Sequence, residues 1–268
     1  MIDKKIFKSL INLLRHRRRL YESVILDLRQ QYIGSVLGVF WAFLFPLLQL
    51  SIFAALYTVV FKVRVIGLSA WEYVLLVFSG LVPLLTFSAI ITACSSSLTA
   101  NKNLLLNTVF PAELIPLRSA LVAHVPGLSG LLITIILCFV LERISWQAII
   151  LVPVFWILLM MFAIGLGWML SLFSLVVKDI QHGIGLILML MIILSPFAYT
   201  PDMVPGALKF IIYLNPLSYF VLSFQQLIVY GTLPELVPAI GCASLGLGFM
   251  LIGYTVFLKG KFEFFDYV

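Results

Sequence analysis

Seven stretches of the chain run for 22 residues or more without a charged side chain. They lie between Arg29 and Lys62, Glu72 and Lys102, Arg118 and Glu142, Arg143 and Lys178, Asp179 and Asp202, Lys209 and Glu235, and Glu235 and Lys259. About 20 apolar residues suffice to carry a helix across ~30 Å of hydrocarbon. Six stretches therefore predict membrane helices, at about 34–61, 73–97, 119–141, 147–176, 183–200 and 236–258. The seventh, 210–234, holds Asn215-Pro216, Gln225-Gln226, Gly231 and Pro234. Proline removes a helical hydrogen bond, and two amides in hydrocarbon are costly. It predicts short broken helices that dip into the outer leaflet or lie at its surface, where protein or water can surround irregular backbone.

Ahead of the first span, Ile6, Leu10, Leu13, Leu14, Leu20, Val24 and Leu28 recur near helical spacing beside a basic flank that includes Lys4, Lys5, Lys8, Arg15 and Arg17 to Arg19. That pattern predicts an amphipathic helix lying in the headgroup layer. The expected fold is thus all-α and integral to the membrane. It comprises an N-terminal interfacial element over 1–33 and a six-span domain over 34–268, with external re-entrant helices over 201–235 between spans five and six.

Composition agrees. Of 268 residues, 63% are hydrophobic and 10% charged, against about 45–50% and 25% in soluble domains. Both a water-soluble fold and low-complexity disorder are excluded. The net charge of +6 calls for no nucleic-acid partner, because eight of the 17 Lys and Arg residues lie between Lys4 and Arg29, where anionic lipid headgroups attract them. With six spans, both termini share a side that collects thirteen Lys and Arg against four on the other. This bias places the termini in the cytoplasm.

Much chemistry is missing. The sequence has no G-x-x-x-x-G-K-[ST], G-x-G-x-x-G, H-E-x-x-H, C-x-x-C or G-x-S-x-G. His16, His124 and His182 lack ligand spacing, and Cys94, Cys138 and Cys242 read as small buried apolar residues. No catalytic residue, metal site or cofactor site is expected. No carboxylate lies deep in a predicted span, as a proton relay would require. If the chain drives uphill transport, the energy enters through a partner.

The 98–117 segment is longer than a turn needs. Its amphipathic front half and prolines predict a short helix parallel to the membrane, placed to dock on another protein. At the entrance to the first span, Gly34 and Gly38 form a G-x-x-x-G that permits close helix approach, at a dimer seam or within the subunit.

Four motifs, in order, carry a family resemblance. The first runs from Leu26 through Arg29, Tyr32, Gly34-Ser35-Val36-Leu37-Gly38 and Trp41 to Pro46-Leu47. The second spans Asn101 to Leu117 and contains Phe110-Pro111-Ala112-Glu113 and Pro116-Leu117. The third is Val177-Lys178-Asp179-Ile180-Gln181-His182, and the fourth Asn215-Pro216-Leu217. Together they resemble ABC-2-type permeases, most nearly those exporting lipid-linked polysaccharides of O-antigen, capsule or teichoic-acid type. Asn107-Thr108 is a departure, since relatives often carry lysine there.

That resemblance implies a homodimer in the bacterial cytoplasmic membrane, bound to two copies of a separate ATPase that holds ATP and Mg. It implies coupling roles for Asn101, Phe110, Pro111, Glu113 and Asp179, and a cytoplasmic entrance at Arg29 and Tyr32. Aromatic faces suit the C–H surfaces of sugars, which makes Phe40, Trp41, Phe45, Tyr57, Tyr199, Tyr213 and Tyr219 candidates for lining a conduit. The same rings also populate membrane interfaces and pack helices. The rival functions are an exporter of drugs or small lipids, a membrane-embedded glycan-modifying enzyme, and a passive channel.

Overall fold

The structure, a computed structural model, describes residues 16–101, 111–177 and 179–264. Ten α-helices occupy the described residues: α1 (Arg17–Tyr32), α2 (Trp41–Ala55), α3 (Ala70–Ala100), α4 (Leu114–Ala123), α5 (Val125–Val140), α6 (Trp146–Val176), α7 (Ile180–Leu194), α8 (Lys209–Leu214), α9 (Pro216–Ile228) and α10 (Leu236–Phe264). Five helical stretches are long and apolar enough to cross a bilayer: Gly38–Val60, Ala70–Ala100, Leu114–Val140, Trp146–Val176 and Leu236–Lys261. These agree with the expected first, second, third, fourth and sixth spans.

The bundle is built around α3. Of its most apolar stretch 78% is buried, against 22% for the first and last spans. Phe87 of α3 stacks on Phe162 of α6 with ring centroids 4.8 Å apart. α6 and α10 approach more closely still, because a methyl group on Gly253 would overlap the carbonyl of Gly165. Small residues are what let backbones meet this way in a membrane.

Proline within α2 has a local remedy. Pro46 has no N–H, so the carbonyl of Ala42 loses its helical donor. The hydroxyl of Ser129 on α5 donates to that carbonyl instead, pinning the first span to the third.

Two expectations need correction. Gly34 and Gly38 do not share a helix face: both have positive φ, +80° and +51°, in the link from α1 to α2, and a methyl group on either would meet no atom within 4 Å among the described residues. Within the chain they are turn residues, not a helix-packing motif.

The fifth span is also shorter than 183–200, because α7 ends at Leu194 after fifteen residues. Pro196 follows, and the residue before a proline is driven out of the α region; Ser195 accordingly has ψ 140°. The non-helical stretch beyond is buried and its carbonyls are satisfied. Gln225 Nε2 donates to Pro196 O (3.0 Å) and Phe197 O (3.3 Å), and the Tyr73 hydroxyl donates to Ala198 O (2.8 Å). Irregular backbone at membrane depth needs this kind of protein cover.

α8 and α9 form the expected re-entrant hairpin, bent by 98° at Asn215. Asn215 Nδ2 donates to Met191 O (2.7 Å) and Ser195 Oγ (2.8 Å), so the bend sits level with the end of α7. Lys209, where α8 begins, and Glu235, beyond the end of α9, border one cavity of about 480 Å³. Both arms therefore return to the same face, called here the hairpin end. The opposite face, the basic end, carries α1, Arg118 and Lys261.

Candidate functional site

At the basic end, three elements converge on the last turn of α3. Asn101 Nδ2 donates to Ser97 O (2.8 Å), which orients its Oδ1 to accept from Arg118 on α4 (3.0 Å). Arg118 Nε also lies 2.9 Å from Asp27 Oδ2 of α1, with both side chains largely shielded. Gln181 at the start of α7 donates to Thr99 Oγ1 (3.1 Å). The amphipathic helix, the segment entering the third span and the turn before α7 are thus all tied to the end of the central helix.

Glu113 lies in a second tie. It is 8% exposed, and its carboxylate lies 3.3 Å from Lys261 Nζ of α10. Its carbonyl accepts from the indole of the fully buried Trp168 on α6 (2.9 Å). A carboxylate held this way clamps the start of α4 against α6 and α10, and presents little surface to another protein.

A groove runs from this end along α2. Its first part, about 400 Å³, is bordered by Gln31, Tyr32, Trp41, Phe45, Gln49 and Thr86 among others. The second, about 560 Å³, is bordered by Gln49, Phe53, Tyr57, Ser88, Thr92 and Phe197 among others, and lies between α2, α3 and α7. Gln49 and Leu85 border both parts and mark where they meet. Partial burial raises the Tyr32 phenol above its ordinary pKa, so it enters the groove as a neutral hydroxyl.

The structure brings some of the expected residues together and separates others. Tyr32, Trp41, Phe45 and Tyr57 all line the groove, whereas Phe40, in the turn just ahead of α2, is exposed and borders neither of its parts. Tyr199, Tyr213 and Tyr219 belong to the hairpin end. The Tyr199 hydroxyl donates to Leu194 O (2.9 Å) and that of Tyr219 to Tyr213 O (2.8 Å). Of these three, Tyr213 alone borders the cavity there. Arg29 and Asp179 are exposed at the basic end, Pro111 is half-buried, and Phe110 lies outside the described residues, as does most of the predicted helix ahead of it.

Sequence reasoning missed Asp27, Arg118, Gln181 and Lys261. Asp27 and Arg118 are 91 positions apart, and neither stands in a motif that pairs it with the other. Arg118, the lone cation between Glu113 and Glu142, was a signal that could have found the tie, since a charge at a helix's membrane boundary seeks a partner. The cysteines are as expected: all three are free and buried. Among the described residues no cluster of His, Cys, Asp and Glu could hold a metal ion.

Comparison with known proteins extends this picture. The family described as ABC-2 type transporter matches residues 23–229. The chain is 30% identical over 241 residues to an O-antigen export system permease protein of Klebsiella pneumoniae, covering 89% of this chain and 90% of that one. A second permease of that name and organism gives the same figures. One from Myxococcus xanthus is 25% identical over 259 residues, covering 94% and 96%.

Proposed function

The chain belongs to the ABC-2 type transporter family, and on that premise we propose that it exports a lipid-linked polysaccharide of O-antigen type across the bacterial cytoplasmic membrane. As a multi-pass permease it depends on a partner ATPase. The finer reading is a homodimer seated on two ATPase copies, with the basic end and both termini in the cytoplasm and no nucleotide site of its own.

The observation that carries this reading is the convergence on the last turn of α3. A push on the 98–117 segment or on the turn at Asp179 reaches one helix end, and that helix forms a wall of the groove. Nucleotide binding in the partner would bias two arrangements of this junction, the minimum a coupled transporter needs. Asn101, Phe110 and Pro111 would transmit the push together with Asp179. Glu113 would position them without touching the ATPase.

Three O-antigen permeases aligning over about nine-tenths or more of their length support the glycan cargo. The test is deletion of the chromosomal copy followed by complementation. Loss of surface glycan, with lipid-linked glycan accumulating inside and export restored only when the permease and its ATPase are both present, is the expected result. Normal surface glycan together with new sensitivity to toxic compounds would replace the glycan by a drug-like cargo.

A further inference from the structure

The three helices that run along the groove, α2, α3 and α7, are electrically silent within it, and charge enters with α1 at the basic end. No Asp, Glu, Lys or Arg occurs in α2, in α3 after Glu72, or in α7, and among the described residues none borders either part of the groove. The nearest charges along α2 are Arg29 before it and Lys62 after it.

Yet the groove is not a simple hydrocarbon slot. Ser88 Oγ is buried and has no hydrogen-bond partner among the described residues. It also forgoes the bond to the carbonyl four residues earlier that Thr86 and Thr134 both make in their own helices. Across from it the Gln49 amide, like the Thr92 and Tyr57 hydroxyls, makes no hydrogen bond among the described residues. Elsewhere in this bundle Asn215, Gln225 and Ser129 have partners, while the isolated Ser174 and Ser218 hydroxyls, like that of Ser88, have none among the described residues; what sets the groove apart is that several such groups border one space. An unmatched amide or hydroxyl at membrane depth carries the desolvation cost of a lost hydrogen bond. Several polar groups bordering one space, of which Ser88 Oγ is buried and the others are open to it, suit a polar occupant. Acyl chains cannot satisfy them.

What fits is a molecule that offers hydroxyl donors and acceptors, presents C–H faces to Trp41, Phe45 and Phe53, and carries no charge. An anionic chain would leave water for a low-dielectric passage without one cation to meet it, and burying an uncompensated charge is far costlier than burying a hydroxyl. We propose that the groove selects uncharged glycans over acidic ones, and that Gln49, where its two parts meet, is a specificity-determining residue. This rests on the polysaccharide-export reading and narrows it to neutral cargo.

The experiment places the permease with its ATPase in a host lacking its own exporter. It compares two lipid-linked probes of equal length, polymannose and a polymer with one uronic acid per repeat, by antibody staining of the cell surface. The neutral chain should reach the surface about tenfold more, or better, than the acidic one. Gln49→Leu should lower neutral export roughly fivefold, the worth of about one hydrogen bond. Gln49→Lys should raise acidic export severalfold while lowering neutral export.

Equal export of both probes by the wild-type pair overturns the inference and leaves glycan export standing. So does an unchanged ratio in a Gln49→Lys protein that is present at wild-type level. If neither probe reaches the surface while the pair assembles and hydrolyses ATP, the export reading fails and takes the inference with it.

Discussion

Replacing Arg118 by methionine keeps an apolar stem of similar length and removes the guanidinium that joins α1, α3 and α4. The cost follows from the geometry. Arg118 Nε and Asp27 Oδ2 lie 2.9 Å apart with side chains 14% and 27% exposed. An exposed pair contributes about 0–1 kcal/mol, and stripping one partner from a fully buried pair costs about 3–5 kcal/mol. Shielding of this degree falls between those limits, at about 2 kcal/mol. The bond to Asn101 Oδ1 adds less than the usual charged hydrogen bond, because Asn101 can turn to water once freed. The total is about 2–3 kcal/mol, or roughly 5–10 °C in Tm at about 2–4 °C per kcal/mol for a chain of this size. Thermal unfolding of the purified protein, followed by tryptophan fluorescence, reads this directly. A cycle with Asp27→Asn isolates the pair and should give a coupling of about 1–2 kcal/mol. Additivity of the two substitutions within about 0.5 kcal/mol would show that α1 is not held through this contact.

Glu113→Gln should leave ATPase binding intact in a pull-down, because the side chain is buried against Lys261, while lowering stability by about 1–2 kcal/mol. Loss of ATPase capture by a folded variant would instead put Glu113 on the docking surface. Ser129→Ala strands the Ala42 carbonyl beside Pro46 and should cost about 1–2 kcal/mol, read as a lower Tm. Gln225→Leu uncovers two carbonyls at once, so about 2–3 kcal/mol is expected, with faster labelling of a cysteine placed at Phe197. Gly253→Leu forces α10 off α6, and the protein should fail to accumulate in the membrane.

The spans were legible because charge spacing reports hydrocarbon thickness, which bulk composition sets. Proline and amide content likewise exposed the hairpin around Asn215-Pro216. What those amides do was not legible. Gln225 reads as a liability in its own helix, and its purpose shows only when Pro196 and Phe197 are found beside it. The halt of α7 at Leu194 is written in Ser195-Pro196, but a run of apolar residues continues to Tyr199 and hides it. Gly34 and Gly38 have the spacing of a packing motif, and only their backbone angles reveal turns. At the candidate site, aromatics of α2 could be named from sequence, whereas the Arg118–Asp27 and Glu113–Lys261 ties join residues 91 and 148 positions apart. No local pattern encodes such separations.

The brevity of α7 has a consequence for the lipids around it. Fifteen residues rise about 22 Å, some 8 Å less than a typical hydrocarbon layer. Leaflets meeting so short a post are drawn inward to keep its apolar side chains covered. A leaflet drawn in along that flank would thin the sheet beside the groove, and a cargo anchored by a lipid would flip there. Reconstitution into bilayers of shorter tails should speed turnover, and longer tails should slow it.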